Sequence, residues 1–217
     1  MSGKLTAAAQ WFVCCFSRTD KDLGQWRAYG DDGKGYAIGF DAKVLENAFI
    51  TARAEDANHS TFPVKYDDKK ICELLENLTK ETISFIETPR GKDLPPQEIA
   101  NFLAALSARL AASCILLSLC FKHEAYVNEQ EYRFLQSYPI TAQLPELLFR
   151  TRPYALVRDQ EFNWKKVAAS SIKEIVCGPA NDPKIAEKFA ADCRRAYLQN
   201  EVIAIRTSSI PYRSVRN

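Results

Sequence analysis

The two helical segments in the middle of this chain constrain its fold more than any other feature of the sequence. Apolar residues recur at spacings of three, four and seven over residues 69–87, which predicts an amphipathic helix. A second periodic segment runs over residues 99–121 and becomes apolar on nearly all sides from Leu110 onward. Because a helix that is apolar all round must be covered by other elements, we predict a buried central helix over residues 103–121.

Strand-like segments lie on both sides of these helices in the sequence, which is typical of an α+β protein. They are residues 11–17, 36–40, 62–66, 128–135, 154–157, 172–177 and 202–206. Neither flank carries a full set of strands by itself, so we predict a single α+β domain over residues 1–217. It would contain a twisted mixed sheet of about six strands with flanking helices. Residues 89–96, rich in proline, form a predicted linker inside that domain, and residues 23–29 fit either a helix or a strand.

Composition restricts the class of protein. Hydrophobic residues make up 47% and charged residues 26%, as in folded globular proteins, and the net charge of +2 gives no global attraction to nucleic acid or anionic lipid. The seven cysteines, an odd number, favour a reducing compartment, so we expect a cytoplasmic protein without a targeting signal. The most apolar window, residues 110–121, is shorter than the roughly twenty residues of a bilayer span, which predicts no membrane partner.

Residues 128–135, Asn-Glu-Gln-Glu-Tyr-Arg-Phe-Leu, carry the strongest candidate site. Side chains alternate along a strand, so Glu129, Glu131 and Arg133 are predicted to share one face, opposite an apolar face. Two carboxylates roughly 7 Å apart on a rigid strand suit acid–base catalysis or the stabilisation of a cationic, sugar-like transition state. The alternative is a solvent-facing strand with ordinary surface charges.

Residues 25–35, Gln-Trp-Arg-Ala-Tyr-Gly followed by Asp-Asp-Gly-Lys-Gly, form a second candidate site. Trp26 and Tyr29 offer flat stacking surfaces, and Arg27 offers a bidentate fork for phosphate, which together favour a nucleotide pocket. The alternative is that these aromatic residues anchor a core beneath a glycine turn. The glycine spacing fits neither a P-loop nor a dinucleotide-binding fingerprint.

Other catalytic arrangements have little support in the sequence. His123 follows the long apolar helix and is either a general base or a capping residue. No Cys/His spacing suits zinc, so no metal site is predicted.

Several motifs in chain order resemble a prokaryotic, bacterial family of unknown function. They are FVCCFS, QWRAYG-DDGKG-YAIGF, FKHEAYVNEQEYRFL, IKEIVCGP and SSIPYR. Members of that family carry a Cys-Phe-Ser strand, a Trp-x-x-Tyr segment before a glycine-rich turn, and a late Glu-x-Glu-(Trp/Tyr)-Arg strand. They usually begin with a further section, and we expect this chain to lack it.

More distantly, Glu129-Gln130-Glu131 with the following Tyr-Arg-Phe-Leu resembles the Glu-x-Glu strand of ADP-ribosyltransferases. That resemblance implies NAD as the cofactor and an acceptor that is a protein or a nucleic acid. It also implies that Glu131 is the catalytic carboxylate, which stabilises the oxocarbenium ion formed as nicotinamide leaves. Glu129 would position or deprotonate the acceptor.

The same resemblance assigns cofactor-binding roles to the second candidate site. Trp26 or Tyr29 would stack on nicotinamide and Arg27 would face phosphate. Arg133 is the remaining cofactor-binding candidate, since it shares the strand face of the glutamates.

Two other functions stay open. In the first, the charged candidates form a structural ion-pair network in a binding or regulatory module; they are Glu129, Glu131, Arg27 and Arg133. In the second, the protein modifies or binds nucleic acid through a C-terminal basic tail without acidic residues, which contains Arg206, Arg213 and Arg216.

Overall fold

The computed structural model of the protein describes residues 10–51, 57–86, 95–139, 142, 148–152, 154–163, 169–198 and 202–212. The strands are β1 (Gln10–Ser17), β2 (Tyr36–Phe40), β3 (Asn58–Pro63), β4 (Glu131–Tyr138), β5 (Leu148–Arg152), β6 (Ala155–Asp159), β7 (Ile172–Cys177) and β8 (Ala204–Thr207). The α-helices are α1 (Leu23–Tyr29), α2 (Ala42–Thr51), α3 (Asp68–Ile86), α4 (Pro96–Cys120) and α5 (Pro183–Cys193). A 3-10 helix spans Glu124–Glu129, and a π-helical segment spans Arg194–Leu198. The predicted α+β class is confirmed.

The chain divides into two compact units. The first contains Met1–Phe16 and Ala54–Asp159, and the second contains Ser17–Arg53 and Gln160–Asn217. The described strands form three sheets, with orders β1-β4-β3, β2-β7-β8 and β5-β6, instead of the one sheet of about six strands that we predicted. Which strands pair depends on long-range contacts, and these leave no trace in the local pattern of a strand.

The first unit is built around β4, which lies between β1 and β3. β4 pairs with β3 in antiparallel register, with Phe134 opposite Thr61. On one side of this sheet the ring of Phe16 packs against Phe134 with centroids 4.9 Å apart, and Tyr138 is 2% exposed. The strand predicted at residues 62–66 overlaps β3 only at Phe62 and Pro63, because β3 begins at Asn58 and ends at Pro63, which donates no backbone hydrogen bond.

The second unit is built around β7, which pairs antiparallel with β2 and parallel with β8. α5 connects β7 to β8, and Asp182 caps it by accepting a hydrogen bond from the Ile185 amide at 3.1 Å. The core residues are Ile172, Ile175, Cys177, Ala186, Ala190 and Ile203. β5 and β6 form an antiparallel hairpin, of which only β6 was predicted, as the strand at residues 154–157.

The long apolar helix is present as α4, but the prediction that it is buried is wrong. Every side chain on α4 that the structure describes is half-buried or exposed, and an 18-residue window with mean hydropathy 1.9 contains no buried residue. By length and composition, α4 meets the criteria for a membrane span, contrary to the prediction from residues 110–121 alone. A single such helix is weak evidence for a membrane protein, because core helices of soluble proteins meet the same criteria.

Candidate functional site: a buried carboxylate cluster

The candidate site of the first unit lies at the start of β4. The 3-10 helix ends at Glu129, and Gln130 adopts a left-handed conformation with φ of 44° before the strand begins at Glu131. Glu129 therefore precedes the strand, and the predicted strand alternation does not extend to it. Glu131 and Arg133 do share one strand face, since their side chains are bonded to each other.

Glu131 is buried and bound in a bidentate pair. Only 6% of the residue is exposed. Arg133 donates from Nε to Glu131 Oε1 at 2.8 Å and from Nη2 to Oε2 at 3.2 Å. The backbone of Glu131 is fixed as well, because its amide donates to the Tyr66 hydroxyl at 2.8 Å. The carboxylate thus has a defined position and orientation.

Lys122 joins the two glutamates. Its Nζ lies 3.3 Å from Glu131 Oε2 and forms an ion pair with Glu129. It also lies 4.7 Å from the centroid of the Tyr126 ring, within the range of a cation–π contact. Burial lowers the pKa of Lys122, but its hydrogen bond to Glu129 and the charges of both glutamates outweigh burial and raise the pKa overall. Lys122 is therefore cationic, and it partly neutralises both carboxylates.

The end of α4 anchors the other side of the cluster. Arg133 Nη1 donates to the carbonyl oxygens of Ser118 at 3.2 Å and Leu119 at 2.5 Å. The last carbonyls of a helix have no partner within the helix and carry the negative end of its dipole, so a guanidinium is a favourable partner for them. Arg133 consequently connects the carboxylate of β4 with the C-terminus of α4.

The charges around Glu131 keep it ionised. Burial raises the pKa of Glu131, but hydrogen bonds from Arg133 and Cys15 and the charges of Arg133 and Lys122 outweigh burial and hold the pKa at about 2. In the opposite direction, burial, the hydrogen bond to Glu131 and its charge raise the pKa of Cys15 to about 12. Glu131 is thus a permanent anion and Cys15 a protonated thiol.

Three members of this cluster were not identified as site residues from the sequence: Lys122, Cys15 and Tyr66. Lys122 lies two residues after the end of α4, next to His123, whose Nδ1 accepts from the Ala125 amide at 3.1 Å as a capping residue does. Cys15 lies on β1, the neighbour of β4, and the adjacent Cys14 points to the other strand face. Only the pairing of β1 with β4 relates Cys15 to Glu131, so no local signal in the sequence contains that contact.

The second predicted set, Trp26, Arg27 and Tyr29, lies on α1 in the second unit. Trp26 is 5% exposed, and its Nε1 donates to the Asp20 carbonyl at 2.7 Å, which fits the interpretation of this residue as a core anchor. Tyr29 is 80% exposed. Arg27 Nε lies 3.5 Å from the Asp32 carboxylate. The structure brings together Glu129, Glu131 and Arg133 in one unit and these three residues in the other, so their joint role in one NAD site stays a prediction.

The glycine turn after α1 is fixed by the second unit. Gly33 has φ of 84°, and Asp31 and Asp32 are also left-handed, so the turn needs residues that tolerate that region. The Gly33 carbonyl accepts from the Ala180 amide at 2.9 Å, and the Tyr212 hydroxyl donates to Asp32 at 2.8 Å. The backbone amides of Gly33, Lys34 and Gly35 donate to carbonyls within the same segment, those of Trp26, Asp31 and Gly30. These contacts are structural, since they occupy the N–H groups that a phosphate-binding loop would present to a ligand.

Arg206, from the predicted basic tail, belongs to a second ion-pair group. It binds Glu174 through Nε at 2.8 Å and Nη2 at 3.0 Å, and Asp20 through Nη1 at 2.8 Å. Arg213 and Arg216 lie outside the described residues. Within the part of the chain that the structure describes, no group of three or more His, Cys, Asp or Glu side chains could hold a metal ion.

The fold and the site define an α+β protein whose first unit holds a buried glutamate between an arginine and a lysine. The chain belongs to DUF2971, a family described as a protein of unknown function, whose model matches residues 25–134, just over half of the sequence. This confirms the predicted membership of a domain-of-unknown-function family. The matched range contains all six predicted site residues. No curated protein and no solved structure matches the chain.

Proposed function

We propose that this chain is an NAD-using ADP-ribosyltransferase-like domain in which Glu131 stabilises the positive charge that develops on the ribose as nicotinamide leaves. The observation that carries the proposal is the position of the Glu131 carboxylate, which is 6% exposed and is held by two hydrogen bonds from Arg133. These hydrogen bonds and the neighbouring charges outweigh burial and keep its pKa low, so the carboxylate stays charged. A fixed anion in a water-poor site interacts strongly with a developing cation and needs no reorganisation during the reaction.

The proposed reaction transfers the ADP-ribosyl group without a redox step. The bond between the ribose C1′ and the nicotinamide nitrogen breaks, and nicotinamide leaves with the bonding electrons. A lone pair on the acceptor forms the new bond to C1′, and the proton of the acceptor passes to the Glu129 carboxylate. With water as acceptor, the products are nicotinamide, ADP-ribose and a proton.

In this proposal, Lys122 has to move before a substrate can reach Glu131 Oε2. Its Nζ already forms an ion pair with Glu129, and its distance of 3.3 Å to Glu131 is longer than the 2.8 Å from Arg133 Nε. A cationic ribose that approaches Oε2 would displace Lys122 toward Glu129 while Arg133 keeps the carboxylate in place. The roles assigned to Trp26, Arg27 and Tyr29 stay predictions, each open to its own substitution.

The experiment measures nicotinamide release from NAD and label transfer from adenylate-labelled NAD to candidate protein and nucleic-acid acceptors. We expect activity in the wild type and a loss of about a hundredfold or more in Glu131→Gln. Glu174→Gln is the matched control, because Glu174 is likewise held by both nitrogens of an arginine fork, at 2.8 and 3.0 Å, and should leave turnover unchanged. Absence of turnover in the wild type, or full activity in Glu131→Gln, refutes the proposal.

A second candidate function is a non-enzymatic binding or regulatory module stabilised by the same cluster. The observation that favours it is that both Glu131 oxygens already accept hydrogen bonds from Arg133, whose Nη1 is occupied by carbonyls of α4. Such a satisfied network fixes the end of a helix to a sheet. The ion-pair network contains Lys122, which was not among its predicted members, whereas the predicted member Arg27 pairs with Asp32. Loss of stability in Glu131→Gln, with no turnover of NAD by the wild type, supports this alternative.

A further inference from the structure

The 3-10 helix before β4 carries two of the groups that contact Lys122. The ring of Tyr126 lies 4.7 Å from Lys122 Nζ, and Glu129, the last residue of the helix, forms the ion pair with Lys122. None of the six residues of this helix is buried. A helix of one or two turns has too few internal hydrogen bonds to be stable alone, so its position depends on how its ends are fixed.

His123 fixes the beginning of this helix. It is the N-cap residue: its Nδ1 accepts from the Ala125 amide at 3.1 Å, and its carbonyl accepts from the Tyr126 amide at 3.0 Å. The bond from Ala125 uses the lone pair of Nδ1, which exists only while that nitrogen carries no hydrogen. His123 therefore caps the helix in one protonation state and not in the other.

Asp68, the first residue of α3, selects the capping form. Its Oδ2 lies 3.4 Å from His123 Nε2. A carboxylate only accepts hydrogen bonds, so the neutral imidazole carries its hydrogen on Nε2 and leaves Nδ1 as the acceptor for Ala125. Protonation keeps the contact with Asp68 but adds a hydrogen to Nδ1, so that two N–H groups would face each other across 3.1 Å. The His123 side chain is 64% exposed, so water reaches it.

The chain just before His123 is fixed independently of the cap. The Lys122 amide donates to the Lys65 carbonyl at 3.0 Å, and the Lys65 amide donates to the Cys120 carbonyl at 2.9 Å. Loss of the cap therefore frees the 3-10 helix and not the end of α4. Besides Asp68, the titratable residues on the segments around His123 are Lys65, Tyr66, Asp67, Lys69, Cys120, Lys122 and Glu124.

We propose that His123 is a positioning residue for Glu129: unprotonated at Nδ1, it holds the 3-10 helix and thereby Glu129 against Lys122, and protonation of Nδ1 releases both. Where it concerns turnover, this inference rests on the proposed function, in which Glu129 takes the proton of the acceptor. Histidine is the side chain that ordinarily changes its charge between about pH 8 and about pH 5. Acidification across that range therefore displaces Glu129 and slows transfer to the acceptor.

The first test follows the site itself and needs no substrate. In the isotope-labelled full chain, the amide resonance of Ala125 and the side-chain carboxyl resonance of Glu129 are followed by NMR from about pH 8 to about pH 5.5. We expect both to shift together in the wild type. The matched variant is His123→Asn, because an Asn oxygen accepts the same amide two residues on but does not titrate.

Neither resonance should shift in His123→Asn across this range. The chain has two histidines, and the other one, His59, is unchanged in this variant and serves as the internal control. The proposal is overturned if the Glu129 carboxyl stays still while the Ala125 amide titrates, or if both resonances shift equally in His123→Asn.

The second test measures transfer from adenylate-labelled NAD at about pH 8 and about pH 5.5. The ratio of kcat between these pH values should be about fivefold larger in the wild type than in His123→Asn, the factor that a typical N-cap contributes, with the same KM for NAD. His123→Ala should be slow at both pH values. Equal pH profiles in the wild type and His123→Asn overturn the proposal. A wild type that does not turn over NAD refutes the proposed function, while the resonances of Ala125 and Glu129 still decide the positioning role.

Discussion

Replacing Glu131 with Gln measures how far the buried cluster stabilises the fold. The pKa of Glu131 is about 2 in the folded protein, against an ordinary value of 4.5. By linkage, a difference of this size corresponds to about 3 kcal/mol of stability at neutral pH. Only 6% of the residue is exposed, so solvent screening reduces this figure little. We expect the free energy of unfolding of Glu131→Gln to be lower by about 3 kcal/mol.

The difference in unfolding free energy between the wild type and Glu131→Gln should become smaller as the pH falls. The folded-state pKa of Glu131 lies below its unfolded value, so its stabilising contribution is complete above about pH 4.5 and disappears as the pH falls toward 2. Gln does not titrate. The unfolding free energies of the two proteins should therefore converge across that window, because the wild type loses what the variant already lacks.

The assay is urea unfolding of both proteins at neutral pH and at several values below pH 5. Glu174→Gln serves as the comparison, since its arginine pair is similar in geometry but its side chain is 33% exposed. An exposed pair of this kind contributes about 1 kcal/mol or less. Equal losses in the two variants, or a loss in Glu131→Gln that stays constant with pH, would refute the assignment of the low pKa to this cluster.

Three further perturbations have outcomes that follow from single contacts. Gly178→Ala should lower the unfolding free energy by about 2–4 kcal/mol, because an added Cβ would lie 2.7 Å from a backbone carbonyl oxygen of the glycine turn; an unchanged urea midpoint would contradict this. Trp26→Ala should lower the unfolding free energy by about 3–5 kcal/mol and Tyr29→Ala by about 0.5 kcal/mol or less, because only the Trp26 ring is buried. Similar losses in both variants would contradict this difference in burial. Alkylation of Cys15, followed by peptide mass spectrometry at mildly alkaline pH, should be about tenfold faster in Glu131→Gln, because burial would still raise the thiol pKa but the hydrogen bond and charge of the carboxylate would no longer add to it; an unchanged rate would show that burial alone raises it.

Much of the secondary structure follows from the sequence, because it depends on local periodicity and caps. The stripe of α3, the long run of α4 and the strand at 172–177 were predicted within a few residues of their observed bounds. Residues 23–29 were left open between helix and strand, and the structure resolves them as α1, where the Asp22 carboxylate accepts from the Gly24 amide at 2.9 Å. A seven-residue segment is too short for periodicity to decide, so the cap decides it.

The candidate site was predicted in part. The bond between Glu131 and Arg133 follows from strand alternation, which is a local property. The contact of Glu129 with Lys122 does not, because a left-handed Gln130 ends the alternation, and neither composition nor spacing predicts that conformation. The lowered pKa of Glu131 could not be predicted from the sequence either, since it depends on groups from β1, from β4 and from the residues just after α4.

The sequence by itself determined α3 and α4, most of the strands, the α+β class and the segment that carries the charged cluster, since each depends on residues close together in the chain. The tertiary structure alone decided that the strands form separate sheets, that α4 stays exposed and that Cys15 reaches Glu131. The physical reason is that burial and electrostatics are properties of neighbours in space. An apolar helix is buried only if other elements cover it, and a carboxylate is held ionised only by the cations that the fold brings to it.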